Sequence, residues 1–93
     1  MTTDVQTELE RTRRVPGIHF MDGTLGRVPC LDGTGLEVFE VVKVYLAAGR
    51  NKRLLRRAYN WLTTDQIDAA LRYYRYFPAE VEARLRAEDD DES

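Results

Sequence analysis

The fold is decided by residues 63–77, which read TTDQIDAALRYYRYF. Apolar side chains recur there at the spacing of one helical face, and they are Ile67, Ala70, Leu71, Tyr74 and Phe77. The side chains on the opposite face are Asp65, Ala69, Arg72 and Tyr76. Thr63 with Gln66 three positions later fits a capping box, and Pro78 ends this helix while suiting the first position of another. We therefore predict an amphipathic helix followed directly by a further helix.

Two shorter helical patterns precede this helix. The first runs from Glu37 to Ala48 and stops at Gly49, a residue type that commonly ends helices. The second runs from Lys52 to Tyr59 with Asn51 as its N-cap. Its inward-facing side chains are expected to be Leu54, Leu55, Ala58 and Tyr59. Residues 60–62 then form a tight connection to the long helix.

Residues 16–36 are predicted to form a short β-hairpin. The turn dipeptides Asp22-Gly23 and Asp32-Gly33 separate strand-favouring residues. Pro29 cannot donate to a strand ladder, so its strand lies at an edge or is bulged. Because two strands alone are marginal in water, the hairpin must pack against the helices or a second copy.

Ninety-three residues are enough for one domain. The predicted fold is mainly α, with a short N-terminal β-hairpin followed by a three-to-four-helix bundle. Residues 1–15 are interpreted as a flexible arm with at most one helical turn. The globular domain spans residues 16–87, its helical part residues 37–87, and residues 88–93 form a disordered acidic tail. No apolar run is long enough to cross a membrane, and the polar N-terminus and single cysteine favour a cytoplasmic protein.

Catalytic and metal chemistry find little support in the residues. His19 and Cys30 are the only histidine and cysteine, and no spacing resembles a zinc site. Cys30 is better explained as a small buried side chain than as a nucleophile paired with His19. Hairpin turns explain Asp22, Asp32 and the glycines better than acid–base catalysis or a phosphate loop does. We therefore expect a binding protein that has no enzymatic activity and needs no cofactor.

Charge is strongly segregated along the chain. Residues 50–75 contain seven basic side chains and two acids, whereas residues 80–93 contain seven acids and two arginines. A basic helix, a tight turn and a second amphipathic helix form the layout of a helix-turn-helix. The predicted DNA contacts are Arg53, Arg56, Arg57, Arg72 and Arg75. A solvated helix face is the alternative, and Asp65 and Asp68 near the start of the second helix oppose phosphate binding there.

The aromatic cluster of residues 73–77 is too wide for one helix face to bury. Tyr74 and Phe77 fit the core, whereas Tyr73 flanks it and Tyr76 should be exposed. Tyrosine is enriched in protein interfaces, so Tyr73 and Tyr76 are predicted to form a dimer or partner interface. Packing at the edge of the core is the alternative.

The stretch Ile18 to Leu85 resembles the family called domain of unknown function 433, described as VapB-type antitoxin-like. The matching segments are GRVPCLDGT (26–34), LEV (36–38), LAAG (46–49), YNWLT (59–63), DQIDAALRYY (65–74) and PAEV (78–81). Gly35 stands where the family usually has arginine, and Asn60 where it usually has proline. The resemblance implies a homeodomain-like three-helix fold after the hairpin, commonly paired into a dimer, and a role in a bacterial toxin–antitoxin operon.

These observations lead to two functional hypotheses. In the first, the chain is an antitoxin-like, homodimeric helix-turn-helix protein that binds DNA and represses its own operon. In the second, it is a protein-interaction module that neutralises a toxin or assembles with another chain. This module would use the Tyr73 and Tyr76 face together with the acidic C-terminal segment. Neither hypothesis involves a membrane.

Overall fold

The computed structural model describes the backbone of residues 2–24 and 26–92 and the side chains of residues 7–24 and 26–88. Within these residues the elements are α1 (Thr2–Arg14), β1 (Ile18–Gly23), β2 (Gly26–Leu31), α2 (Val38–Ala47), α3 (Lys52–Ala58), α4 (Thr64–Tyr76) and α5 (Pro78–Glu92). The chain is mainly α with a short β-hairpin, as predicted, and four of its described helices follow the hairpin.

The two strands pair antiparallel, from Ile18 opposite Leu31 to Gly23 opposite Gly26. The turn predicted at Asp22-Gly23 is wrong, because both residues lie inside β1 and the chain reverses after them. Gly26 has a φ of 114°, which side chains with a Cβ rarely adopt. The turn predicted at Asp32-Gly33 is confirmed, because residues 32–34 form a turn. The hairpin packs against α2 and α4 through β2, which gives its buried face a partner within the chain.

The first correction concerns residues 2–14, which form α1 rather than a flexible arm with one helical turn. Contacts to distant parts of the chain hold this helix. Arg27 donates two hydrogen bonds to Glu8, from Nε at 3.1 Å and from Nη2 at 3.0 Å. Arg11 contacts Tyr73 and Glu80, which lie in α4 and α5. A helix stabilised by such contacts need not show a strong apolar period of its own.

The second correction concerns the acidic C-terminal run. It was expected to be disordered after Ala87, yet α5 continues to Glu92. Val81, near the start of α5, is fully buried and fixes the first turns against the core. Once a helix is nucleated, each further residue that is fixed adds one hydrogen bond, whereas the first bond requires three residues to be fixed. Packing of Val81 therefore fixes the start of α5, from which the helix continues into the acidic residues.

The hydrophobic core lies between the hairpin and the helices, with α2 at its centre. Helix α2 buries Val38, Phe39, Val41 and Val42 and contacts α3, α4, α5 and β2. Helix α3 contributes much less, because Leu55 is its one buried residue among those described. Leu54 and Ala58, predicted to face inward, are exposed instead, and Tyr59 is half-buried. A helix of two turns presents too narrow a stripe to bury all four.

The start of α4 is as predicted. Thr63 Oγ1 accepts a hydrogen bond from the Gln66 backbone N–H at 3.1 Å, and Gln66 Oε1 accepts one from the Thr63 N–H at 2.8 Å. Gln66 Nε2 also donates to the carbonyl of Asp32 at 3.0 Å, which ties α4 to the turn after the hairpin. Ala69, predicted to face outward, is buried because the loop at Gly17 covers it; a Cβ on Gly17 would lie 3.2 Å from Ala69 Cβ.

Candidate nucleic-acid interface

Helix α3 carries a basic concavity on its outer side. We call it the α3 basic concavity; it measures about 640 Å³ and is lined by Lys52, Arg53, Arg56, Arg57, Asn60 and Leu62. Asn51 caps the helix by accepting hydrogen bonds from the N–H groups of Arg53 at 3.0 Å and Leu54 at 3.2 Å. No carboxylate lines this concavity, so the charged side chains of its lining are all basic.

A second concavity lies beside the first and shares Lys52 with it. This α4 concavity measures about 590 Å³, and its cations are Arg50, Lys52, Arg72 and Arg75. The structure therefore distributes the five predicted arginines over two adjoining basic surfaces. Arg72 also lines a third, smaller concavity together with Asp65 and Asp68, so the positive character is weaker on the side that faces the hairpin.

Acidic side chains affect the two basic surfaces unequally. Lys52 Nζ lies 2.5 Å from Asp68 Oδ1, and this ion pair neutralises the Asp68 carboxylate. Glu82, which also lines the α4 concavity, accepts a hydrogen bond from the Tyr74 hydroxyl at 2.9 Å. Within the described residues, the guanidinium groups of the five predicted contacts form no hydrogen bond or ion pair. They are Arg53, Arg56, Arg57, Arg72 and Arg75, and all five are exposed.

The prediction that Tyr73 forms an interface is wrong. Its side chain has no exposed surface, and its hydroxyl donates to Glu80 Oε2 at 2.6 Å. The same hydroxyl accepts a hydrogen bond from Arg11 Nη1 at 3.2 Å, and this arginine also pairs with Glu80. Arg11 of α1 and Glu80 of α5 therefore meet at the Tyr73 hydroxyl. Tyr76, by contrast, is 49% exposed, as expected.

The environment of Tyr73 predicts a loss of stability at alkaline pH. Burial raises the pKa of Tyr73 above its ordinary value of 10.0, and the hydrogen bond to Glu80 raises it further. When the pH exceeds the ordinary tyrosine pKa, the native state keeps a proton that the unfolded chain has lost. The free energy of unfolding therefore decreases as pH rises. One such proton contributes at most about 1.4 kcal/mol per pH unit.

Urea unfolding measured from about pH 8 to about pH 11 checks this, and Tyr73→Phe is the control because it removes the titrating hydroxyl. The variant should lose less stability over this range. Burial also raises the pKa of Tyr59 and Cys30. These two groups contribute equally to the pH dependence of the wild type and of Tyr73→Phe, so the difference between the two pH profiles reports on Tyr73 alone. Parallel pH profiles would contradict the assignment.

Sequence reasoning missed the exposed tryptophan in the turn between α3 and α4. Trp61 is 61% exposed, and its ring lies edge-to-face with Tyr59 at a centroid distance of 6.0 Å. The sequence contained a signal for this exposure, because Trp61 lies in a short connection and belongs to no hydrophobic stripe of a helix. The packing of the turn decides which of its side chains is buried: Leu62 faces the core and Trp61 does not.

The residues considered for catalysis lie in the hairpin. His19 and Cys30 are opposite each other in the strand register, but His19 Nδ1 lies 2.7 Å from Asp32 Oδ1. Burial raises the pKa of the Cys30 thiol, and the charge of Glu37 raises it further, so the reactive thiolate is disfavoured. In the described chain, no group of three His, Cys, Asp or Glu side chains could hold a metal ion.

These features define a small, mainly helical protein whose hairpin packs on a helical core and whose third helix carries an arginine-rich outer face. Among residues 2–24 and 26–92, no helix has both the length and the apolar character needed to cross a bilayer. A family model described as "Protein of unknown function (DUF433)" matches residues 18–74, and the chain belongs to this family. Comparisons with curated proteins and with solved structures give no match.

Proposed function

We propose that this protein binds DNA through a helix-turn-helix formed by α3 and α4. The observation that carries the proposal is the set of exposed guanidinium groups on two adjoining surfaces, none of which forms a hydrogen bond or ion pair with a described side chain. In this arrangement α2, α3 and α4 form the homeodomain-like part, with α3 crossing the phosphate backbone. The phosphate contacts are Arg53, Arg56, Arg57, Arg72 and Arg75.

The distribution of charge suggests which part of the interaction is strongest. Arginines that neutralise phosphates release condensed counterions, and this release supplies most sequence-independent affinity. The α3 basic concavity is suited to that role because no carboxylate lines it. At the start of α4, Asp65 is exposed and Asp68 is held by Lys52. Base recognition from this first turn is disfavoured, so phosphate contacts dominate the proposed complex.

The biological setting that we propose follows from the resemblance of the chain to antitoxin-like proteins. The protein would be a cytoplasmic homodimer that represses its own toxin–antitoxin operon. A dimer doubles the number of phosphate contacts and makes the salt dependence of binding steeper. Pairing would also add stability to a chain of 93 residues, whose single core is small.

Titration of duplex DNA at several salt concentrations tests the proposal. The double variant Arg56→Ala/Arg57→Ala should lower affinity at low salt at least about 10-fold. It should also reduce the slope of log K against log salt by about 2 for each protomer, or about 4 for the dimer, since each phosphate contact contributes about 0.9. Fluorescence anisotropy of labelled DNA measures both quantities.

The matched control is Arg13→Ala/Arg14→Ala, which removes the same charge from exposed positions on α1. It should leave the slope nearly unchanged, because α1 is not part of the proposed interface. Equal effects of the two double variants would indicate a general charge effect instead of a site. Undetectable binding of the wild-type protein at low salt would contradict DNA binding altogether.

A second candidate function is a protein-interaction module that neutralises a toxin. The exposure of Tyr76 favours it, as does the continuation of α5 through the acidic residues 88–92. Tyr73 no longer supports this candidate, because it is buried in the core. Retention of a partner protein by a chain that fails to bind DNA would make this the better explanation.

A further inference from the structure

Trp61 is held in a defined position although most of its surface is exposed. The backbone N–H of Leu62 donates to the carbonyl of Tyr59 at 3.0 Å, which closes the turn around Trp61. Leu62, the residue after Trp61, is buried, and the Tyr59 ring contacts the indole edge-to-face at an interplanar angle of 74°. A closed turn, a buried neighbour and an aromatic contact together limit the orientations of the indole. An exposed aromatic ring fixed in this way is preorganised to contact a ligand.

The position of Trp61 relates it directly to the arginines. Its two chain neighbours, Asn60 and Leu62, both line the α3 basic concavity together with Arg53, Arg56 and Arg57. The backbone of Trp61 therefore lies at the edge of the concavity, although the residue is not part of its lining. A ligand in contact with both features must offer anionic groups and, beside them, a flat apolar surface.

A nucleic-acid strand with unpaired bases offers this combination. Phosphates repeat along its backbone, and each unpaired base has a free π-face that can stack on an aromatic side chain. In a duplex these faces are covered by neighbouring base pairs, and only the base edges reach the grooves. An acidic peptide supplies the negative charge but no regular flat surface beside it.

We infer that Trp61 is a stacking platform for an unpaired base and that the α3 basic concavity binds the adjacent phosphates of a single-stranded nucleic acid. The inference rests on the proposed function, since it uses the same arginines, and it adds a ligand class that this surface prefers. DNA and RNA single strands share the required chemistry.

Trp61 is the only tryptophan of the chain, so its fluorescence reports on this position alone. Oligothymidylate and oligouridylate of about 20 nucleotides should each be titrated beside a duplex of matched length. The single strands should quench the fluorescence and bind more tightly than the duplex. The comparison of the two oligonucleotides distinguishes DNA from RNA as the preferred strand.

Anisotropy of labelled oligonucleotides extends the test to variants without tryptophan. Trp61→Ala should weaken single-strand binding between about 5-fold and about 150-fold, the range given by one stacked base. Trp61→Phe should retain part of the affinity, and duplex binding should be unaffected by either change. Tyr76→Ala is the control, because it removes an exposed aromatic side chain that lies on α4 and is not next to a residue of the α3 basic concavity.

The possible failures are distinguishable. If the single strand binds no more tightly than the duplex, or if Trp61→Ala binds it like wild type, the stacking role is overturned. Duplex binding that depends on Arg56 and Arg57 would then still support the proposed function. If neither nucleic acid binds and polyglutamate quenches Trp61, both proposals are overturned and the surface belongs to an acidic protein partner.

Discussion

Replacement of Tyr73 with alanine is expected to lower the free energy of unfolding by about 3–5 kcal/mol, the range for a large aromatic side chain removed from a core. Tyr73 has no exposed surface, and its ring packs against Phe77 at a centroid distance of 4.9 Å and against Phe20 at 6.4 Å. The substitution also leaves the half-buried pair of Arg11 and Glu80 without the hydroxyl that both contact. Because small domains have total stabilities of about 5–15 kcal/mol, the loss should be plainly visible in urea unfolding.

Tyr76→Ala is the control for this experiment. Tyr76 is adjacent to the aromatic cluster and contacts Phe77 edge-to-face, but about half of its surface is exposed. Its replacement should change the free energy of unfolding by about 0.5 kcal/mol or less. Similar losses in the two variants would mean that Tyr73 does not occupy the core and would restore it as an interface residue.

Leu55→Ala is expected to cost about 2–5 kcal/mol and to disrupt the arginine-rich surface at the same time. Leu55 has no exposed surface and is the buried anchor of α3. The other contacts of this helix with its surroundings, such as the ion pair between Lys52 and Asp68, are exposed and therefore weak. Loss of the anchor should let α3 fray, so DNA affinity should fall even where the variant remains folded.

Leu54→Ala provides a matched comparison on the same helix. Leu54 is 43% exposed, and its truncation removes the same atoms without opening a cavity in the core. We expect a change in stability within about 0.5 kcal/mol and no change in affinity for DNA. Urea unfolding followed by circular dichroism, together with anisotropy at low temperature, measures both effects. Equal destabilisation by the two substitutions would contradict the packing of α3 described above.

The sequence alone predicted α2, α3, α4 and the start of α5 with bounds close to those observed. The signals were local: the N-cap at Asn51, the capping box of Thr63 and Gln66, and Pro78 between two helices. Each signal depends on residues within one or two turns of each other, so it can be read from the chain. The exposed arginines on α3 follow from the same periodicity.

Tertiary structure alone decided the features that depend on distant contacts. Arg11 reaches Tyr73 and Glu80 across more than sixty positions of sequence, which is why α1 is a docked helix and Tyr73 is buried. The loop at Gly17 covers Ala69, and the closed turn at Leu62 leaves Trp61 exposed. Periodicity describes which side of a helix a residue occupies. Whether another segment covers that side is determined by packing between elements, and no local pattern records it.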